Sequence, residues 1–243
     1  MKTFKNYLLE GLDPYKALMV DPKAAASYAV ENGLRMPELE STIVKDGDAV
    51  ISYAGRVLKR RWPEGEETVL KDPWYAAIYA SQDIGDRWPE AEPIIATEPA
   101  AAVEYARSVK DRERWPEAEA RIKRSAPDAY DYAMSVLHGR FPEGEEAILD
   151  NPDYAVRYAE NVIKDRWPEA ESVIAEDPLA AHRYATNVIK GRWPEVEDNL
   201  LKWPSIARVY VDVIIEPWLE KHPKGVEREL VKARFGRYLH EDF

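Results

Sequence analysis

The sequence predicts an all-α fold, an elongated solenoid (superhelix) of about eight 26-residue helix-hairpin repeats with capping helices at both ends. Three observations lead there. First, a motif Arg-aromatic-Pro-Glu-x-Glu recurs, with methionine for the aromatic in the first copy. Its prolines are Pro37, Pro63, Pro89, Pro116, Pro142, Pro168 and Pro194, spaced 26, 26, 27, 26, 26 and 26 residues apart. Second, a Tyr-Ala pair tracks the motif at Tyr28, Tyr53, Tyr79, Tyr105, Tyr132, Tyr158 and Tyr184, and ends as Tyr210-Val211. Third, the apolar residues between these markers follow the helical period, and self-similarity at such a period is the signature of a repeat architecture.

The unit beginning at Pro152 shows the elements most clearly. Ala155, Tyr158, Ala159 and Val162 fall at i, i+3, i+4 and i+7, one face of a first helix. Asn151-Pro152 opens it with a capping residue and a proline at the first helical position, as Asp72-Pro73 and Asp177-Pro178 do elsewhere. Lys164, Asp165 and Arg166 lead to Trp167-Pro168, where a second proline-initiated helix begins. Proline pushes the preceding tryptophan toward extended geometry, which separates the two helices. A helix of about 12 residues is marginal alone in water, so the hairpins must stack. The column Met36, Trp62, Trp88, Trp115, Phe141, Trp167 and Trp193 is the expected cement. One tryptophan buries about 150–250 Å2, worth roughly 4–6 kcal/mol before chain entropy is subtracted.

Residues 1–243 read as one domain, with an N-terminal cap over 1–21, regular repeats over 22–204, and a divergent last repeat plus C-terminal cap over 205–243. The first cap carries Tyr7, Leu8, Leu9, Leu12, Leu18 and Met19 without the full motif. After Tyr210 the spacing breaks: Pro223, Gly225 and Glu227 form a worn second helix, and Phe235, Tyr238 and Leu239 close the end.

Composition narrows the function classes. Apolar residues make up 45% of the chain and charged residues 33%, the balance of a folded soluble protein. The lack of cysteine excludes disulfides, thiolate metal sites and cysteine nucleophiles together and fits a cytoplasmic home. No stretch approaches the ~18 unbroken apolar residues of a membrane helix, and charges interrupt any leader core before Val20. The histidines His138, His182, His222 and His240 lack metal-binding helical spacing, and phosphate-loop and nucleophile-elbow motifs are missing. The expectation is a non-enzyme without metal or cofactor.

The unit resembles leucine-rich variant repeats. Asp-Pro opens one helix, a Tyr-Ala face follows, and Pro-Glu-Ala opens a second short segment, best seen from Pro152 to Pro178. That family is a solenoid of alternating α and 3₁₀ helices, with HEAT-like repeats more distant in form. The resemblance covers residues 22–204, although this unit is longer, poorer in leucine and marked by tryptophan. The Arg-Trp-Pro-Glu-Ala-Glu wording is also similar to repeat proteins of phages and their bacterial hosts, which would place the chain in host cytoplasm. The resemblance implies binding through a concave face lined by the first helices, and no catalysis.

The net charge of −11 is mostly periodic. Each of seven motif copies sets two glutamates in the first turn of the second helix, where the helix dipole favours anions, and one arginine before the aromatic. Without those columns 31 acidic and 27 basic residues remain, a net of −4. Direct nucleic-acid binding, which needs a basic face, is disfavoured. The preferred function is a protein-binding or scaffold module, possible as an inhibitor or adaptor of a larger assembly. The alternative is an acidic nucleic-acid mimic that blocks a DNA- or RNA-binding enzyme.

Repeated positions maintain a stack, so binding belongs to positions that vary between units. The candidates are Trp74, Tyr75, Ile78, Asp83, Glu104, Arg157, Glu160, Asn161, His182, Arg183 and Asn187. Asp83 stands where other units have Val57, Val109, Val136, Val162 or Val188; it marks either a groove or a local register shift.

Overall fold

The computed structural model describes residues 14–109 and 114–240. The chain is an all-α tandem-repeat solenoid, and no strand occurs among the described residues. It groups into two compact units, Met1–Ile122 and Lys123–Phe243. In the first, the described helices are α1 (Pro14–Leu18), α2 (Pro22–Asn32), α3 (Pro37–Ile43), α4 (Gly47–Tyr53), α5 (Pro63–Val69), α6 (Pro73–Tyr79), α7 (Glu92–Ile95), α8 (Pro99–Ser108) and α9 (Pro116–Ile122). In the second they are α10 (Ala126–Tyr132), α11 (Glu145–Leu149), α12 (Pro152–Tyr158), α13 (Pro168–Glu176), α14 (Pro178–Tyr184), α15 (Pro194–Leu200), α16 (Pro204–Tyr210), α17 (Glu216–Lys221) and α18 (Val226–Phe235).

Capping follows the sequence closely. The Asn151 side chain accepts the backbone N–H groups of Asp153 and Tyr154, and Asp72 accepts those of Trp74 and Tyr75. The periodicity did not disclose how the first helix of a hairpin ends. After α12 the chain widens into one π-helical turn, Ala159–Ile163, closed by a bond of 2.7 Å from Lys164 N–H to the Ala159 carbonyl. Equivalent turns follow α4, α6, α10, α14 and α16. Most stop at a left-handed residue: Lys59, Gly85, His138, Lys164 or Lys190. A non-glycine residue costs on the order of 1–2 kcal/mol in that conformation. Each turn therefore persists because its surroundings hold it.

The aromatic and tyrosine columns are buried as expected, with Trp167 2% exposed and Tyr158 fully buried, except at their first members Tyr28 and Met36, which are half-buried. Each tryptophan ring of the column packs on the tyrosine of its own hairpin, as in Tyr158–Trp167 with centroids 5.1 Å apart and Tyr53–Trp62 at 5.2 Å. Its backbone N–H reaches the tyrosine of the following hairpin, 17 residues on. Trp62, Trp88, Trp167 and Trp193 thus each join two tyrosines by two different interactions.

At the first end, Leu18 is fully buried and Met19 is 45% exposed; the cap residues Tyr7, Leu8, Leu9 and Leu12 lie outside the described residues. At the other end, Glu216 follows the π turn in right-handed conformation, so the helix continues directly into α17 instead of turning back. This is why the spacing breaks after Tyr210. The worn second helix begins at Val226, after Gly225 with φ of 127°, and not at Pro223. Fully buried Phe235 lies against Tyr210, with ring centroids 6.2 Å apart.

Candidate functional site

Most polar residues of the repeat are committed to its own stitching. Arg166 grips Glu171 with two bonds, 2.8 and 2.9 Å, and Tyr184 donates to the same carboxylate at 3.1 Å. The Tyr184 hydroxyl accepts the Trp167 N–H at 2.6 Å. The same set recurs with Arg35, Glu40, Tyr53 and Met36, and with Arg140, Glu145, Tyr158 and Phe141. The arginine holds the Glu171 carboxyl below the usual carboxylate range, while burial pushes the Tyr184 hydroxyl up to about 12. Arginine, aromatic, second glutamate and tyrosine are therefore one device, and its two opposite charges cancel.

The varying candidates lie on the first helices and on the π turns that follow them. In the first unit, α2, α4 and α6 border a groove of about 780 Å3. Trp74, Tyr75 and Ile78 line it together with Lys23, Asp48 and Arg56. Lys23 donates to Asp48 at 2.7 Å and lies 3.7 Å from Asp46, and these bonds raise its pKa. Trp74 is 45% exposed. Tyr75 fits only because residue 47 is glycine, since a Cβ there would overlap its ring.

Asp83 stands in the valine register; no register shift occurs, and that half of the expectation is corrected. Its carboxyl lies behind Gly55, where a Cβ would come within 2.6 Å of Oδ1. Both oxygens are buried without a hydrogen-bond partner, and desolvation pushes the carboxyl up to about 7. Gly55 itself lines the groove, so the carboxyl sits directly behind the groove wall.

In the second unit the equivalent face is filled. Asp153 pairs with Arg157 at 2.8 Å and with Arg183. Tyr130 and Tyr154 rings lie 5.9 Å apart, Asn161 donates to the Tyr130 hydroxyl at 3.2 Å, and Arg157 lies over Tyr154. The remaining candidates do not converge on one site. Glu104 is tied to Arg107 and Ser108 on α8, Glu160 is half-buried and Asn187 exposed on their π turns. His182 faces Tyr210, its Nδ1 is buried without a partner, and desolvation lowers its pKa.

Two features escaped sequence reasoning. Arg56 and the glycines Gly47 and Gly55 shape the groove; the only signal was Gly47, standing where Pro22, Pro73, Pro99, Pro152, Pro178 and Pro204 stand in other units. At the C-terminal end, Asp212, Glu216 and His240 bring one possible ligand atom each within 4.8 Å of one another. Arg208 already serves as their cation, bonding Asp212 and the His240 ring, while His240 Nδ1 lies 2.8 Å from Glu216. That arrangement is a polar clasp on His240, the last described residue.

Compared with family models, characterised proteins and solved structures, the chain matches none. Among the described residues no helix is long and apolar enough to cross a membrane.

Proposed function

We propose that this protein is a non-catalytic protein-binding module that engages its partner through the outer faces of the first helices. One observation carries the reading: the arginine, second glutamate and tyrosine of the repeat are consumed in stitching, whereas the first helices present a groove and uncommitted side chains. Solenoids bind through such faces, because positions not needed for stacking are free to vary.

A second reading has its own observation. The first glutamate of each motif, from Glu38 and Glu64 to Glu169 and Glu195, is exposed, so each unit carries regularly spaced carboxylates at its helix starts. Such a row suits an acidic decoy for a nucleic-acid-binding protein.

Affinity capture from source cells separates the two. The full chain is compared with Trp74→Ala/Arg56→Glu, with Arg157→Glu/Arg183→Glu, and with Glu64→Gln/Glu90→Gln/Glu117→Gln. A protein retained by the wild type and the glutamine variant but lost from either first-helix variant supports the module. Retention that needs the glutamates and is competed by duplex DNA supports the decoy and removes the first reading.

A further inference from the structure

We propose that the groove between α2, α4 and α6 is a peptide site that takes an extended partner segment bearing one carboxylate beside one planar aromatic side chain. This rests on the protein-binding reading and adds the chemistry of the occupant.

Charge sets the first requirement. The charged side chains lining the groove are Lys23, Asp48 and Arg56, and Lys23 is held by Asp48. Arg56 is exposed and has no ion-pair partner among the described residues. One uncommitted guanidinium matches one carboxylate, which it can hold with two parallel bonds. A di- or triphosphate would bring more negative charge than one cation offsets, against Asp48 and with Asp83 behind the wall.

The aromatic wall sets the second. The Trp74 indole is nearly half exposed at the first turn of α6, and the Tyr75 ring is wedged against Gly47, which fixes its orientation without a ligand. A preformed aromatic surface binds a planar side chain at little ordering cost. The side chains of Ser27, Ser52 and Gln82 line the same groove and make no hydrogen bond with any described residue, leaving donors and acceptors for a peptide backbone. The volume, about 780 Å3, lies within the range of sites that enclose small ligands or a few residues.

Two departures from the repeat meet here: Gly47 replaces the helix-opening proline, and Asp83 replaces valine on the facing helix. Neither improves stacking. A glycine gives up preorganisation, and an unpartnered carboxyl is costly to bury. Both are understandable where a groove has been shaped for an occupant.

The test uses the full chain and fluorescein-labelled hexapeptides followed by anisotropy. Gly-Ser-Glu-Phe-Ser-Gly is expected to bind roughly tenfold more tightly than the same peptide with lysine for glutamate or alanine for phenylalanine. Arg56→Gln should remove the preference for glutamate and leave that for phenylalanine; Trp74→Ala should do the reverse. Arg157→Gln in the second unit should change neither. Circular dichroism and urea midpoints equal to wild type show that both variants are folded, since both side chains are exposed. Equal binding of the three peptides, or none, overturns the proposal, and so does 3-phenylpropionate binding as tightly as the peptide, which would make the ligand a free acid. The protein-binding reading survives either result if capture still depends on Arg157 and Arg183.

Discussion

The outer faces of α2, α4 and α6 and of α12 and α14 are built on the same repeat but finished in opposite ways. In the second unit Asp153 sits between Arg157 and Arg183, and Tyr130, Tyr154 and Asn161 close over one another, so these polar groups find partners within the chain, His182 Nδ1 being the buried exception. In the first unit the Arg56 and Gln82 side chains have none among the described residues, and the Asp83 carboxyl is buried unpaired. The difference teaches that stitching and surface are separable: the Arg–Glu–Tyr device is the same in both, so the face above it can be closed or left open without altering the stack.

The largest expected effect comes from removing the oddest group. Asp83→Val should stabilise the protein at pH 8 by roughly 2–4 kcal/mol. Because the folded carboxyl titrates near 7 and the unfolded one near 4, the folded state holds the extra proton between those values. Wild-type stability should therefore fall as pH rises from about 4 to about 7, and the advantage of Asp83→Val should shrink at pH 4 to the smaller cost of burying a neutral, unpartnered carboxyl. Urea unfolding at several pH values measures both; a pH-independent difference would mean that the carboxyl is solvated.

Cutting the shared stitch should act alike in both units. Tyr79→Phe and Tyr184→Phe each strand a buried backbone N–H and should cost about 1–3 kcal/mol, read as lower thermal midpoints. If only one were destabilising, the claim of a common scaffold would fail. The closed face itself contributes less. Asp153 and its arginines are partly exposed, so Asp153→Ala should cost under ~1 kcal/mol and shrink further in 0.5 M salt, as chemical denaturation would show. Smallest of all, Lys164→Gly should gain about 0.5–1 kcal/mol by relieving a left-handed residue, matching what Gly85 already does in the first unit.

Much of the scaffold could be read from the chain because repetition writes the same physical requirement seven times. Asn151-Pro152 and Trp167-Pro168 each fix a helix start by local chemistry, and tyrosine recurring in one register fixes the core. The π turns were not legible: widening a helix by one residue leaves the apolar face nearly unchanged, and only the spacing between Pro152 and the left-handed Lys164 encodes it. The groove was half legible. Trp74, Tyr75 and Asp83 stood out by breaking the pattern, but Arg56 occupies a variable position and Gly55 carries no side chain, so neither announces that it borders a cavity. His240 joins Glu216 across 24 residues through a turn whose geometry no periodicity specifies.

The bond from each aromatic N–H to a tyrosine 17 residues ahead also sets a rule for how this molecule can be shortened. Excising residues 152–177, one full period, delivers Tyr184 to the place Tyr158 held, and Phe141 and Glu145 meet a new partner identical to the old one. Removing one residue fewer rotates everything downstream by about 100° and leaves a donor, a hydroxyl and a carboxylate without mates at the join. Length changes in this chain should be tolerated in whole-period steps, as a rack accepts only whole teeth.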